Sequence, residues 1–234
     1  MSSAGVVFDG DDTLWETAPL YSRAKEQFFG QMSSLGFDPL EVETAFHNID
    51  VANVDRFGFS KHRFPTSMAE TYRLFCARRD SQSDLAIERA IRRIGYSVFD
   101  EVAMNSDYAE YVLAQVRPYY KLILATRGDE EVQRAKIERS GLAHFFDAIY
   151  VLAHKRTREL QTIARECELD IFRSWIIGDS LRSDINPGLE VGFRAIWIPK
   201  ETWAYEHDEE TESERLFKVH TLADILKLLI PEKT

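Results

Sequence analysis

The chain has few cysteines, a shortage of positive charge and no long apolar run. Only Cys76 and Cys167 occur, each within a helical pattern. This usage is typical of a reducing compartment and favours buried structural roles over a disulfide framework. No apolar run reaches membrane-spanning length, and Met1-Ser2-Ser3 does not begin a charged-then-apolar leader. We therefore expect neither secretion nor membrane insertion, and a cytoplasmic location.

The charge balance is acidic, with 29 lysines and arginines against 39 aspartates and glutamates and a formal net charge of -10. Nucleic acids and anionic membranes attract proteins with a basic surface, so neither is expected as a partner. An anionic substrate would have to be attracted locally. The 234 residues suffice for one large domain or for a core domain with an insertion, as a monomer or a homodimer.

The most informative feature is an apolar run at residues 4–8 that ends in Asp9-Gly10-Asp11-Asp12-Thr13. The run predicts a buried strand, and three carboxylates follow it within four positions. Two unit charges about 4 Å apart repel by about 4 kcal/mol at an effective dielectric constant near 20. A divalent cation with oxygen ligands is the simplest compensation. Mg2+ is usually held by one or two carboxylates together with phosphate and water.

The remaining sequence divides into a helical stretch and an alternating stretch. Between about Trp15 and Met104, apolar residues recur at helical spacing and no convincing strand appears. Beyond it, strands predicted at 122–125, 148–152, 175–177 and 194–198 alternate with helices predicted at 107–116, 130–139, 155–167 and 222–230. This alternation predicts a Rossmann-like, mostly parallel α/β sheet. We assign residues 1–15 and 105–234 to this catalytic core, and 16–104 to an inserted α-helical cap domain.

Polar side chains follow four of the predicted strands. Asp9 and Asp11 come after the first strand, Thr126 after the second, Lys155 shortly after the third and Asp179 after the fourth. Ligands of open α/β sheets bind beyond the carboxyl ends of the strands. Residues far apart in sequence are therefore expected to converge at one edge of the sheet.

This ordered set resembles the haloacid dehalogenase-like hydrolase superfamily, in its phosphatase branch with a helical cap inserted after the first strand. The four motifs of that superfamily are DxDxT, a Ser or Thr after the second strand, a Lys, and a terminal acidic pair. Here they stand as residues 9–13, Thr126, Lys155, and Asp179 with Asp184. The resemblance covers the whole chain. It departs from the pattern after the lysine, where the proline often found in the family is absent.

The resemblance implies a phosphomonoester hydrolase that works through an aspartyl-phosphate, a covalent strategy that divides one difficult step into two. Asp9 is the implied nucleophile. Asp11 is the implied acid for the leaving oxygen and then the base for water. Lys155 would compensate the charge that develops during transfer.

The resemblance also implies a binding set for phosphate and Mg2+. Thr126 and the amides of Arg127 and Gly128 would bind the phosphoryl oxygens, helped by the start of the following helix. The implied metal ligands are the carboxylates of Asp9 and Asp179, the backbone carbonyl of Asp11, and Asp184, which would bind through water or orient Lys155.

Four functions stay open at this stage. The leading one is a Mg2+-dependent phosphatase of a small phosphorylated metabolite. A 2-haloacid dehalogenase uses the same fold and nucleophile, but those enzymes lack the second aspartate that this chain retains as Asp11. A phosphosugar mutase and a non-catalytic binding protein on this scaffold are the others. We interpret the basic and aromatic segment 56–65 and the acidic run 206–214 chiefly as solvated loops.

Overall fold

The computed structural model describes residues 3–200 and 203–230. The chain forms two compact units. One combines the chain up to Thr17 with the chain from Ala103 onward, and the other is Ala18–Val102. No helix among the described residues has the length and apolar character needed to cross a membrane.

The Ala18–Val102 unit is helical, as the helical spacing of its apolar residues predicts. Its helices are α1 (Ala18–Ser34), α2 (Pro39–Phe57), α3 (Arg63–Arg78) and α4 (Leu85–Asp100). Asp38 begins α2 by accepting a hydrogen bond from the Glu41 amide at 3.0 Å. Asp84 begins α4 in the same way, from the Ala86 amide at 2.6 Å. Both are N-caps that satisfy amides left unpaired at a helix start.

Aromatic side chains form the centre of the helical unit. Phe28 and Phe46 have ring centroids 5.5 Å apart, and Phe46 and Phe64 lie 5.7 Å apart in an edge-to-face arrangement. Met32 and Met68 are fully buried. Packing of α1, α2 and α3 through these rings stabilises the unit by burial of large apolar surfaces.

The basic and aromatic segment 56–65 is less exposed than predicted. It spans the end of α2 and the start of α3, and its Arg63 is only 8% exposed. Arg63 forms a buried ion pair with Asp50, and Arg56 lies 2.9 Å from Glu70. The interpretation as a solvated loop is therefore wrong for Arg63, whereas the Arg56 side chain is 58% exposed although it pairs with Glu70.

The other unit contains eight strands among the described residues. They are β1 (Gly5–Phe8), β2 (Trp15–Glu16), β3 (Met104–Asn105), β4 (Lys121–Arg127), β5 (Ala148–Leu152), β6 (Trp175–Gly178), β7 (Arg194–Trp197) and β8 (Leu216–Lys218). Six form one sheet of order β5-β4-β1-β6-β7-β8, and every pairing in it is parallel. The α/β sheet predicted from the alternating pattern is confirmed.

Helices cover both faces of this sheet. They are α5 (Ala109–Val116), α6 (Glu130–Ser140), α7 (Thr157–Glu166), α8 (Asn186–Val191) and α9 (Leu226–Leu229). Val6 and Phe8 of β1 belong to one apolar cluster and Val7 to the other. Successive strand residues point to opposite faces, so a strand buried on both faces reads as a continuous apolar run.

Three features differ from the sequence prediction. β2 and β3 form a two-residue antiparallel ribbon within the range expected to lack strands, and β8 was not predicted. The expected helix at 222–230 is a 3-10 turn, Leu222–Ile225, followed by the short α9. Strands of two or three residues are too short to show a periodic pattern, which explains why these were missed.

The sheet order places β1 between β4 and β6. The chain runs outward from β1 through β4 to β5, and then returns to the other side of β1 to build β6, β7 and β8. Ligand sites in such sheets lie beyond the carboxyl ends of the strands where the order reverses. Here that point is the end of β1, which Asp9 follows directly.

Candidate active site

Lys155 joins two buried carboxylates beyond the end of β1. Its Nζ forms an ion pair with Asp9 and another with Asp184 Oδ1 at 2.5 Å, and it donates to the Ala125 carbonyl at 3.0 Å. Its side chain is only 2% exposed. Burial by itself would lower the pKa of this lysine, but the two carboxylates outweigh burial and raise it. Lys155 is therefore a cation at the centre of the site.

Asp179 completes an acidic group around this lysine. One oxygen each from Asp9, Asp179 and Asp184 lies within 4.8 Å of the others. Burial raises the pKa of Asp9 to about 7 and that of Asp179 well above its usual range. Burial also raises the pKa of Asp184, although Lys155 opposes the shift. Three carboxylates from separate segments thus compete for one cation.

This donor set fits Mg2+. All the side-chain donors are oxygens, and hard cations such as Mg2+ bind oxygen ligands. When the three carboxylates are ionised, one lysine leaves two negative charges uncompensated in a buried position. Like charges at this distance in a protein repel by several kcal/mol. A divalent cation held by Asp9 and Asp179 would remove that repulsion.

The turn after β6 brings Asp184 back to the site. Leu181–Ile185 forms one turn of π-helix, a rare geometry that often occurs at functional sites. The Ser180 amide donates to Asp184 Oδ2 at 3.2 Å. A Cβ on Gly178 would lie 2.3 Å from Asp184 Cγ, so only glycine leaves room for this return. Glycine at position 178 is therefore required by the close approach of the Asp184 side chain.

Asp11 has a different environment from the acidic group. Its Oδ1 accepts hydrogen bonds from Trp15 Nε1 at 2.6 Å and from Lys136 Nζ at 2.9 Å. Its Oδ2 accepts from Lys136 at 2.8 Å and from Gln133 Nε2 at 3.0 Å. Burial acts to raise the pKa of Asp11, but Lys136 and these hydrogen bonds together lower it. The carboxylates of Asp9 and Asp11, two residues apart, thus differ in ionisation.

Thr126 presents an unpaired hydroxyl at the end of β4. The residue is 1% exposed, and its Oγ1 has no hydrogen-bond partner. A Cβ on Gly10, next to Asp9, would lie 3.1 Å from this oxygen, so the hydroxyl lies against the start of the DxDxT motif. Leaving a buried polar group unsatisfied costs about 1–3 kcal/mol. A ligand oxygen at this position would satisfy it.

The Gly128 amide has a different partner from the predicted one, and the role of the Arg127 amide stays a prediction. The Gly128 amide donates to the Leu152 carbonyl at 3.0 Å, so the structure does not support this amide as a phosphate donor. Gly128 has a φ of 152°, and a Cβ there would lie 2.9 Å from Gln133 Nε2. The Arg127 guanidinium forms an ion pair with Glu206 and a hydrogen bond with Ser183.

Glu206 is a site neighbour that the sequence reasoning missed. The sequence predicts a solvated acidic run here, but the Glu206 side chain is 12% exposed and accepts hydrogen bonds from Ser180 and Ser183, each at 2.7 Å. Burial would raise its pKa, but Arg127 and the two hydroxyls lower it. The neighbouring Tyr205 was the available signal, since an aromatic residue beside an acidic run favours packing over solvation.

The family match agrees with this geometry. Residues 6–198 match the family model for haloacid dehalogenase-like hydrolases. The match spans most of the chain, and the chain belongs to this family. The resemblance drawn from the four motifs is therefore confirmed.

The individual relatives are identical to this chain at about a fifth to a third of the aligned residues. Mouse N-acylneuraminate-9-phosphatase is 32% identical over 102 residues, which cover 41% of this chain and 41% of the relative. The chain thus matches about two-fifths of the length of this curated relative. A haloacid dehalogenase-like family hydrolase from Xanthomonas campestris has a TM-score of 0.81 and 27% identity, over 97% of this chain and 92% of that one. The 2-haloacid dehalogenase from Pseudomonas syringae pv. tomato DC3000 has a TM-score of 0.58 and 22% identity over 98% of each chain, which shows the fold alone.

Proposed function

We propose that this protein is a Mg2+-dependent phosphomonoester hydrolase that acts on a small phosphorylated metabolite. The observation that carries the proposal is the group formed by Asp9, Asp179 and Asp184 around Lys155, beside the unpaired hydroxyl of Thr126. It supplies a nucleophile, an oxygen donor set for the metal and a donor for a phosphoryl oxygen. The phosphatase among the relatives supports the same reaction class.

The first step forms a bond between an Asp9 oxygen and phosphorus. The phosphorus–oxygen bond of the ester breaks, and the departing oxygen takes a proton from Asp11. Water then attacks the aspartyl-phosphate, Asp11 takes its proton, and inorganic phosphate leaves with Asp9 restored. Lys155 balances the negative charge on the acidic group throughout. Bound Mg2+, held by Asp9, Asp179 and the Asp11 carbonyl, would neutralise phosphate charge.

The lowered pKa of Asp11 suits the second step, in which Asp11 takes a proton from water. Lys136 favours its carboxylate form, which is the form that accepts a proton from water. For the first step Asp11 must carry a proton. An arriving phosphate dianion favours that proton, because a neighbouring like charge raises the pKa of a carboxyl group. Binding of the substrate would thus promote the protonation of Asp11 that the first step requires.

The helical unit Ala18–Val102 is the proposed cap that selects the substrate. Covers of this kind exclude water and confer specificity, while the core supplies the machinery for phosphate and metal. We expect the enzyme to work in the cytoplasm, as a monomer or homodimer.

Hydrolysis of p-nitrophenyl phosphate tests the proposal. The wild-type protein should release p-nitrophenol in Mg2+ and lose this activity in EDTA. Asp9→Asn should lower turnover by at least about 1,000-fold, because the nucleophile is gone. Asp107→Asn, a change at an exposed aspartate of the same unit, should leave it unchanged.

Two results would reject the phosphatase. One is equal turnover by Asp9→Asn and the wild type. The other is chloride release from 2-chloropropionate in EDTA without any phosphatase activity, which would assign the protein to the dehalogenases instead. Transfer of phosphate to a sugar hydroxyl rather than to water would show a mutase.

A further inference from the structure

We propose that Lys136 and Gln133 of α6 are positioning residues that hold Asp11 in place for proton transfer. The inference rests on the proposed function, since it concerns the group that would serve as acid and base. It extends the site to a helix that none of the four motifs includes.

The first support is the set of donors around the Asp11 carboxylate. Each carboxylate oxygen accepts two hydrogen bonds, Oδ1 from Trp15 and Lys136, and Oδ2 from Lys136 and Gln133. These contacts come from three donor groups, because the single Lys136 Nζ bridges the two oxygens. The plane and the direction of the carboxylate are therefore fixed by its neighbours.

The second support is that one face of α6 contacts Asp11. Gln133 and Lys136 are three residues apart, which places them on the same face of the helix. Gln133 is 2% exposed, and the Lys136 side chain is 13% exposed. Arg134 of the same helix pairs instead with Glu130 at 2.9 Å, and its side chain is 53% exposed. The side of α6 that carries Gln133 and Lys136 thus contacts Asp11, and the side that carries Arg134 is exposed to solvent.

The third support is that Gln133 contacts two parts of the site. Its Nε2 donates to the Arg127 carbonyl at 2.7 Å as well as to Asp11. Gly128 leaves room for this amide, because a Cβ there would lie 2.9 Å from Nε2. Gln133 therefore fixes Asp11 relative to the loop that follows Thr126. A proton donor and the ester it serves must keep such a fixed geometry to react.

These contacts predict an effect that depends on the leaving group. General acid catalysis contributes about 100-fold to 10,000-fold where a leaving group needs a proton. An alkyl phosphate depends strongly on that proton, whereas p-nitrophenolate leaves readily without it. Displacement of Asp11 should therefore slow the alkyl ester more than the aryl ester.

The experiment compares kcat/KM for glycerol 2-phosphate and p-nitrophenyl phosphate in Mg2+. In Lys136→Met, the ratio of alkyl to aryl kcat/KM should fall by at least about 10-fold. Lys136→Arg should restore most of the ratio, because arginine keeps the charge and the donors. Arg134→Met is the matched control and should leave the ratio unchanged. Lys136→Gln replaces Lys136→Met if the methionine variant does not fold.

The outcomes separate the two proposals. A wild-type protein without activity on either ester overturns the phosphatase and, with it, the role of Lys136. An active wild type whose Lys136→Met variant keeps the wild-type ratio overturns the positioning role alone. An equal loss on both esters also overturns it, since a purely structural defect has no reason to depend on the leaving group.

Discussion

Replacement of Asp9 by asparagine should stabilise the metal-free protein while removing the proposed nucleophile. Asp9 is 7% exposed and lies within the group of three carboxylates that share Lys155. Asparagine has nearly the same shape and no charge. Lys155 keeps its 2.5 Å contact with Asp184 in the variant, so the lysine is not left without an anion.

The size of the effect follows from the pKa of Asp9. Burial raises this pKa from 3.8 to about 7. One pKa unit corresponds to about 1.4 kcal/mol, so the ionised form costs the folded state about 4 kcal/mol. Because the folded pKa of this acid is raised, the penalty is complete above pH 7 and disappears as the pH falls towards 4. Asparagine removes it at every pH.

Thermal unfolding in EDTA measures this difference. At pH 8 the Asp9→Asn variant should unfold about 10 °C above the wild type, given about 2–4 °C per kcal/mol for a protein of this size. At pH 4 the two Tm values should converge. Asp107→Asn should follow the wild type at both pH values. A variant that is destabilised at pH 8, or equally stabilised at both pH values, would refute the electrostatic reasoning.

Two further predictions concern single atoms in the site. Gly178→Ala should lower the free energy of unfolding by about 3 kcal/mol in urea titrations, because the added Cβ displaces the buried Asp184 from Lys155. Gly30→Ala, which meets no atom within 4 Å, should instead stabilise by about 0.5–1 kcal/mol. Thr126→Val should raise stability by about 1 kcal/mol, because it removes an unsatisfied hydroxyl, and should weaken inhibition by inorganic phosphate. Equal stability of Gly178→Ala and the wild type, or unchanged phosphate inhibition in Thr126→Val, would contradict these accounts.

The sequence was sufficient to predict the convergence of the acidic group. Asp9 and Asp179 directly follow apolar strands, and the carboxyl ends of parallel strands share one edge of the sheet. The structure brings both together with Lys155 and Asp184. This part was predictable because an apolar run that stops at a carboxylate indicates the end of a buried strand.

The partners of Asp11 and Arg127 were not predictable in the same way. Lys136 and Gln133 lie within a strongly polar helix, in which the sequence does not show which face meets the sheet. Glu206 ends a short 3-10 turn, and its burial depends on the packing of Tyr205 and on hydroxyls of the turn after β6. Such contacts are decided by tertiary packing, which the local sequence pattern does not show.

The central position of β1 has a consequence for folding. Both neighbours of β1 in the sheet come from much later segments of the chain, since Gly5 pairs with Lys121 and Val6 with Trp175. Pairings of such long range are slow to form, because a large loop must close before any contact is gained. The helices of Ala18–Val102 rely on nearer neighbours. On the ribosome, this insert is therefore expected to acquire structure while β1 still awaits both of its partners.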